Sequence, residues 1–220
     1  MNTLVFIRHG ETGMAGAFCG HSDPVLNPAG ESQVRLLAEE VAMLGIERIY
    51  SSDLRRTAQT AVAIAQRIGV NVNYLPALRE IHFGLWEGLH WQEIEDRYSD
   101  EAGRWLREFP ARSAPGGEAY ADFTARVDNI IATLFERSAG RTTAVVTHRG
   151  VMRCALTRFC SFPEDEAWTK TAPYCAMVTV PVRMRDCEVL FAEAGRGRGT
   201  RTSATVASAK TQGRETKSSR

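Results

Sequence analysis

Leu4-Val5-Phe6-Ile7 is an unbroken apolar run that stops at Arg8-His9-Gly10, and Thr142-Thr143-Ala144-Val145-Val146-Thr147 stops in the same way at His148-Arg149-Gly150. Apolar residues without alternation suit strands covered on both faces, as in a parallel sheet flanked by helices. Open α/β sheets place their ligands beyond the carboxyl ends of the strands, which is where both histidines would stand. Right-handed crossovers bring those ends to one edge. The fold class expected is therefore α/β, a three-layer α/β/α sandwich around a mostly parallel sheet.

The segments between these strands fill in the pattern. Residues 13–26 read as a loop over the site. Asn27-Pro28 opens a helix whose apolar positions run from Val34 to Leu44, and Gly45 closes it. Ile46–Tyr50 is a short second strand, and Ser51-Ser52-Asp53 supplies the turn and cap for a helix reaching Gly69. Val70–Leu75 reads as a third strand near an edge. Residues 90–109 form one helix with Trp91, Ile94, Tyr98, Trp105 and Leu106 on its apolar face, and a longer helix runs from Ala119 to Arg137. Residues 175–182 and 186–192 make a hairpin or edge pair.

Size and charge set the limits. A chain of 220 residues with 44% apolar content can bury one substantial core. The net charge of +1 hides an asymmetry: residues 194–220 carry seven Lys/Arg against one Glu, leaving residues 1–193 at −5. The expected organisation is one domain over residues 1–193 and a disordered basic tail over 194–220. That tail has no aromatics to suggest nucleic-acid or membrane binding. The first apolar run is too short for a signal peptide and no stretch approaches a membrane span, which predicts a soluble, cytoplasmic protein. Five scattered cysteines with no Cys-x-x-Cys pair argue for reduced, mostly core thiols rather than a disulfide framework or a zinc site.

Arg56 falls in the first turn of its helix, where the dipole and free N–H groups favour an anion and disfavour an arginine. Three basic groups, His9, Arg56 and His148, at three strand ends are hard to explain as packing. Such a set suits phosphoryl transfer from a monoester, which needs charge neutralised on the nonbridging oxygens, a nucleophile in line and a proton for the leaving oxygen. Arg8 and Arg56 would grip the oxygens, His9 would attack phosphorus and His148 would donate to the phosphoryl group. A carboxyl from the aromatic- and glycine-rich segment 78–88 would act as acid and then base. Both Glu80 and Glu87 satisfy that description.

These stretches resemble the histidine phosphatase superfamily, also called phosphoglycerate-mutase-like, across nearly all of residues 3–193. Arg8-His9-Gly10-Glu11-Thr12 is similar to its hallmark Arg-His-Gly-x-Thr, and Ser52-Asp53-Leu54-Arg55-Arg56-Thr57-Ala58-Gln59-Thr60-Ala61 resembles a second motif that singles out Arg56 over Arg55. Leu78-Arg79-Glu80 with Phe83-Gly84-Leu85-Trp86-Glu87-Gly88 resembles the acid segment and favours Glu80, and Thr147-His148-Arg149-Gly150-Val151 resembles the second-histidine motif. The resemblance implies the phosphoglycerate-mutase-like fold and an enzyme that needs no metal or other cofactor. Its catalytic residues would be His9, Glu80 and His148, and its phosphate-binding residues Arg8, Arg56 and His148. Thr12, His21 and Arg149 are the substrate-binding candidates, while His82 and His90 read as structural or exposed.

Together with Pro115-Gly116-Gly117-Glu118, the acid segment is most similar to the bacterial α-ribazole phosphatase and broad-specificity phosphatase branch, which implies cobalamin biosynthesis. Two positions depart from the family pattern. Met14-Ala15 stands where many members carry Trp-Asn, removing the phosphate contact implied for that asparagine, and Arg149 stands where many carry glycine. The expected activity is hydrolysis of a phosphomonoester through a phosphohistidine on His9. The alternatives are a mutase-type isomerase sharing every catalytic residue, and a non-catalytic phosphate-binding protein. The expected partner is a small-molecule phosphate ester, with no nucleic acid or membrane, in a monomer or homodimer.

Overall fold

The computed structural model describes residues 2–182. Five strands, β1 (Asn2–Arg8), β2 (Arg48–Ser51), β3 (Val72–Tyr74), β4 (Thr142–Thr147) and β5 (Met177–Val182), make one sheet in the order β3-β2-β4-β1-β5. The first four are parallel, and β5 runs antiparallel along β1. The described residues also form seven α-helices: α1 (Pro28–Ala42), α2 (Arg55–Ile68), α3 (Trp91–Arg97), α4 (Ser99–Glu108), α5 (Tyr120–Arg137), α6 (Arg149–Phe159) and α7 (Glu164–Thr171). None of them is long and apolar enough to cross a membrane.

The two apolar runs occupy the middle of the sheet, and their residues divide between its faces. Leu4, Phe6 and Val145 pack with Phe123, Val127 and Ile131 of α5 and Met152 and Leu156 of α6. Val5, Ile7, Ala144 and Val146 pack with Leu37 and Val41 of α1 and Ile64 of α2. Each strand residue is thus buried whichever way it points, so the sequence shows no alternation; each fully buried large side chain stabilises the fold by about 1.5–3 kcal/mol. The three-layer α/β/α sandwich expected from the sequence is the fold observed.

Several local details differ from expectation. The helix expected over residues 90–109 is two helices, because Tyr98 leaves helical geometry (φ −135°, ψ 42°) and Ser99-Asp100-Glu101 starts a new one with acids in its first turn. The break lets Ile94 and Ala102 share a separate cluster with Trp86, Phe18, Trp91 and Trp105, away from the sheet. Leu106, expected on the apolar face, is exposed. Helix α1 ends at Ala42, and Gly45 (φ +64°) makes the turn beyond it. Strand β2 begins at Arg48 rather than Ile46, although Ile46 is buried.

Helix α2 is not capped by Asp53, whose carboxylate binds Arg79; Asp23, from the loop 13–26, accepts the Arg55 N–H instead. Strand β5 pairs with β1, and its expected partner at 186–192 lies outside the described residues, as does the tail 194–220. Among the described cysteines, all thiols, only Cys154 is fully buried; Cys19, Cys160 and Cys175 are half-buried because they stand in loops and at a helix end.

Candidate active site

Parallel pairing of β1 with β4 aligns Arg8 with Thr147, so the next residues, His9 and His148, leave the sheet side by side. Their rings meet edge to face with centroids 5.3 Å apart. Both are almost fully buried, 7% and 1% exposed, and Arg56 is completely so. Gly10 is required by the close approach of α1: a Cβ there would lie 2.8 Å from Val34 Cγ2 and 2.9 Å from the Gly30 carbonyl.

The hydrogen bonds of His9 define its state. Nδ1 lies 2.7 Å from the Gly10 carbonyl, which can only accept, so Nδ1 carries the proton. Nε2 keeps its lone pair and accepts from Arg56 Nε at 3.3 Å. Burial and the charge of Arg56 hold His9 well below the ordinary imidazole value, so the ring is neutral at pH 7. His148 is lowered well below that value by the same two causes. Its Nε2 lies 3.0 Å from the Ser52 hydroxyl, whereas its buried Nδ1 has no partner among the described residues. An unpaired buried group of this kind costs about 1–3 kcal/mol until a ligand satisfies it.

Arg56 stands in the first turn of α2 and is held by backbone carbonyls: Nη1 donates to Ser22 at 2.7 Å, and Nη2 to Gly20 at 2.8 Å and Cys19 at 3.3 Å. Among the described residues no carboxylate pairs with it. A buried guanidinium without a counter-ion is expensive, and the arrangement can take an anion. Arg8 donates to the Ala172 carbonyl at the C-terminus of α7 and stacks on Tyr174, 4.2 Å from the ring centre. Its Nε is buried without a partner among the described residues, and its charge bears on both histidines.

The two carboxylate candidates have separate fates. Glu80, 8% exposed, follows a 3-10 turn at Pro76–Leu78 that is tied to β4 by the Thr147 hydroxyl donating to the Leu78 carbonyl at 2.8 Å. Its Oε2 accepts the Gly150 N–H at 2.8 Å, and a Cβ on Gly150 would land on the carboxylate. Glu87 instead accepts four backbone N–H groups, from Gly20, His21, Ser22 and Phe83 at 2.8–3.0 Å. Burial alone would raise its pKa, but these bonds hold it below the ordinary carboxylate value. Glu87 therefore shapes the loop whose carbonyls grip Arg56.

The three substrate-binding candidates lie around this centre. Thr12 is buried, with its hydroxyl accepting the Met14 N–H. His21 stacks on His82 with centroids 4.9 Å apart, and its Nε2 lies 3.1 Å from the Glu80 carbonyl. Arg149 opens α6 with its Cζ 3.7 Å over the Trp168 ring, and burial, with Arg8 and Arg153 nearby, lowers it to about 10, still protonated at neutral pH. Ala15, at the departure from the family pattern, is exposed.

Sequence reasoning missed four participants. Ser52 looked like a turn residue, yet its hydroxyl is the only side-chain group bonded to His148 among the described residues. Tyr174, against both Arg8 and His9, comes from a loop without any motif. Glu118 and Arg126 pair with each other beside the acid segment; the break at Pro115-Gly116-Gly117 was the available signal for the former.

The profile of the histidine phosphatase superfamily (branch 1) matches residues 4–193. Phosphoserine phosphatase 1 of Hydrogenobacter thermophilus is 33% identical over 76% of this chain and 84% of its own. The adenosylcobalamin/α-ribazole phosphatase of Salmonella typhimurium is 28% identical over 75% of this chain and 83% of its own. Among solved structures, the α-ribazole phosphatase of Shigella flexneri superposes with a TM-score of 0.76 at 24% identity, covering 83% of this chain and 92% of that one, a likeness of fold.

Proposed function

Because this chain belongs to the histidine phosphatase superfamily (branch 1), we propose that it hydrolyses small phosphate monoesters through a phosphohistidine on His9. The observation that carries this reading is the pair of neutral, buried imidazoles meeting at 5.3 Å beside a buried Arg56 that has no counter-ion among the described residues.

His9 Nε2, unprotonated and released from its long 3.3 Å bond to Arg56 Nε as the phosphate engages that guanidinium, attacks phosphorus as the bond to the alcohol oxygen breaks. Arg56, Arg8 and the Nδ1 of His148 neutralise the equatorial oxygens. The Ser52 hydroxyl, donating to His148 Nε2, selects the tautomer with hydrogen on Nδ1. Glu80 gives its proton to the leaving oxygen. Water then attacks the phosphohistidine, the P–N bond breaks, Glu80 takes the water's proton, and inorganic phosphate departs. Arg149, at the opening of α6, meets the alcohol half of the ester. The relatives supply the substrates to try first: phosphoserine and α-ribazole 5′-phosphate. The second of these would place the protein in cobalamin biosynthesis, in the cytoplasm.

The test is release of inorganic phosphate from these esters and from 3-phosphoglycerate, without added divalent metal, together with quenched labelling of the protein. An acid-labile phosphoenzyme that His9→Ala abolishes along with turnover is the expected result. Turnover surviving in His9→Ala would overturn the reading. Interconversion of phosphoglycerates that needs 2,3-bisphosphoglycerate and releases no phosphate would establish an isomerase instead.

A further inference from the structure

Arg126 lies outside the phosphate cradle, on α5, and its guanidinium has five N–H donors, all of them engaged. Nε and Nη2 bind the two Glu118 oxygens at 2.6 and 2.8 Å. Nη1 donates to the carbonyls of Ala77 at 3.1 Å and Arg79 at 2.6 Å, and Nη2 to that of Glu80 at 2.8 Å. Three carbonyls in a four-residue stretch thus converge on one planar group. Glu118 extends the grip downstream of the acid: its Oε2 accepts the His82 N–H at 3.3 Å, and its own N–H donates to the His82 carbonyl at 2.9 Å. No donor of Arg126 is left for a substrate.

We propose that Arg126, oriented by Glu118, is a positioning residue that aims the Glu80 carboxyl at the leaving oxygen. The inference rests on the reading of Glu80 as proton donor. Glu80 follows a short 3-10 turn, with no regular element of its own to set its direction. Its main chain is instead pinned chiefly from α5, with His21 Nε2 3.1 Å from the same carbonyl, while its carboxylate accepts the Ile81 N–H at 3.0 Å and the Gly150 N–H at the start of α6. A proton donor works only within hydrogen-bond reach of its target, and displacement by about 1 Å can cost about a hundredfold in rate. Lysine would keep the charge, but a single ammonium cannot span three carbonyls and a carboxylate in that fork.

The experiment compares Glu80→Gln, Arg126→Lys and Glu118→Gln on an alkyl phosphate, whose alkoxide needs a proton, and on 2,4-dinitrophenyl phosphate, whose leaving group does not. Competitive inhibition by vanadate monitors the cradle. Read as kcat/KM, which reports only the phosphorylation of His9 and not the later step in which Glu80 takes the water's proton, Glu80→Gln should lose about a hundredfold or more on the alkyl ester and much less on the activated one. Arg126→Lys should show the same selectivity with a loss of about tenfold or more on the alkyl ester, with vanadate affinity within about twofold of wild type. Glu118→Gln should follow with a smaller selective loss. A merely structural role would instead slow both esters alike or weaken vanadate, and either outcome in both Arg126→Lys and Glu118→Gln overturns the inference while leaving a selective Glu80→Gln effect intact. Absence of selectivity in Glu80→Gln removes the acid role itself, and the inference with it.

Discussion

At the scale of single residues, contacts rather than residue types separate the roles. Glu80 and Glu87 are the same side chain in the same loop, so composition and spacing left them equivalent; one faces α6 and the other collects four backbone N–H groups. His9, Arg56 and His148 were legible because a basic group at the end of a buried strand, or in a helix's first turn, has no good packing rationale. Ser52, Arg126 and Tyr174 were not, because each acts through a partner distant in the chain. Gly150 gives a sharp residue-level prediction, since any Cβ there collides with the Glu80 carboxylate. Gly150→Ala should lower turnover of alkyl phosphates by about tenfold or more while unfolding stability, followed in urea, changes by no more than about 1 kcal/mol, because alanine favours the helix by a similar amount. Undiminished turnover would show that the carboxylate can work from elsewhere.

At the scale of elements, the central strands declared themselves because both faces are covered, whereas the segment from residue 90 to 109 misled. Trp91, Ile94 and Tyr98 continue with helical spacing into Trp105, and nothing in that periodicity registers the change of direction at Tyr98. What sets the bend is the cluster around Trp86, which the two short helices close from different directions. Trp86 is fully buried there. Trp86→Ala should therefore destabilise the protein by about 3–5 kcal/mol, read as a lowered urea midpoint. A loss under about 1 kcal/mol would mean that this aromatic cluster is peripheral to folding.

At the scale of the whole molecule, the two buried histidines couple the fold to pH. Both are held well below the ordinary imidazole value, chiefly by burial and next by the Arg56 charge, while the unfolded chain titrates near 6.5. Below that pH the unfolded state binds protons that the native state refuses, so stability falls as pH drops and is fully present above it. The slope should approach about 1.4 kcal/mol per pH unit for each histidine, and chemical denaturation between pH 7 and pH 5 measures it. His148→Gln should flatten the slope; an unchanged slope would place the titration elsewhere.

The buried Arg56, which no carboxylate pairs among the described residues, has a practical consequence at this same scale. On the proposed function an oxyanion supplies the compensating charge, and the occupied protein is then expected to be the firmer one, gaining about 2.7 kcal/mol when the oxyanion is present at a hundred times its dissociation constant. Choice of buffer would then be a choice of conformational rigidity: stocks kept in phosphate should be hardened relative to stocks of the same gene product dialysed into chloride.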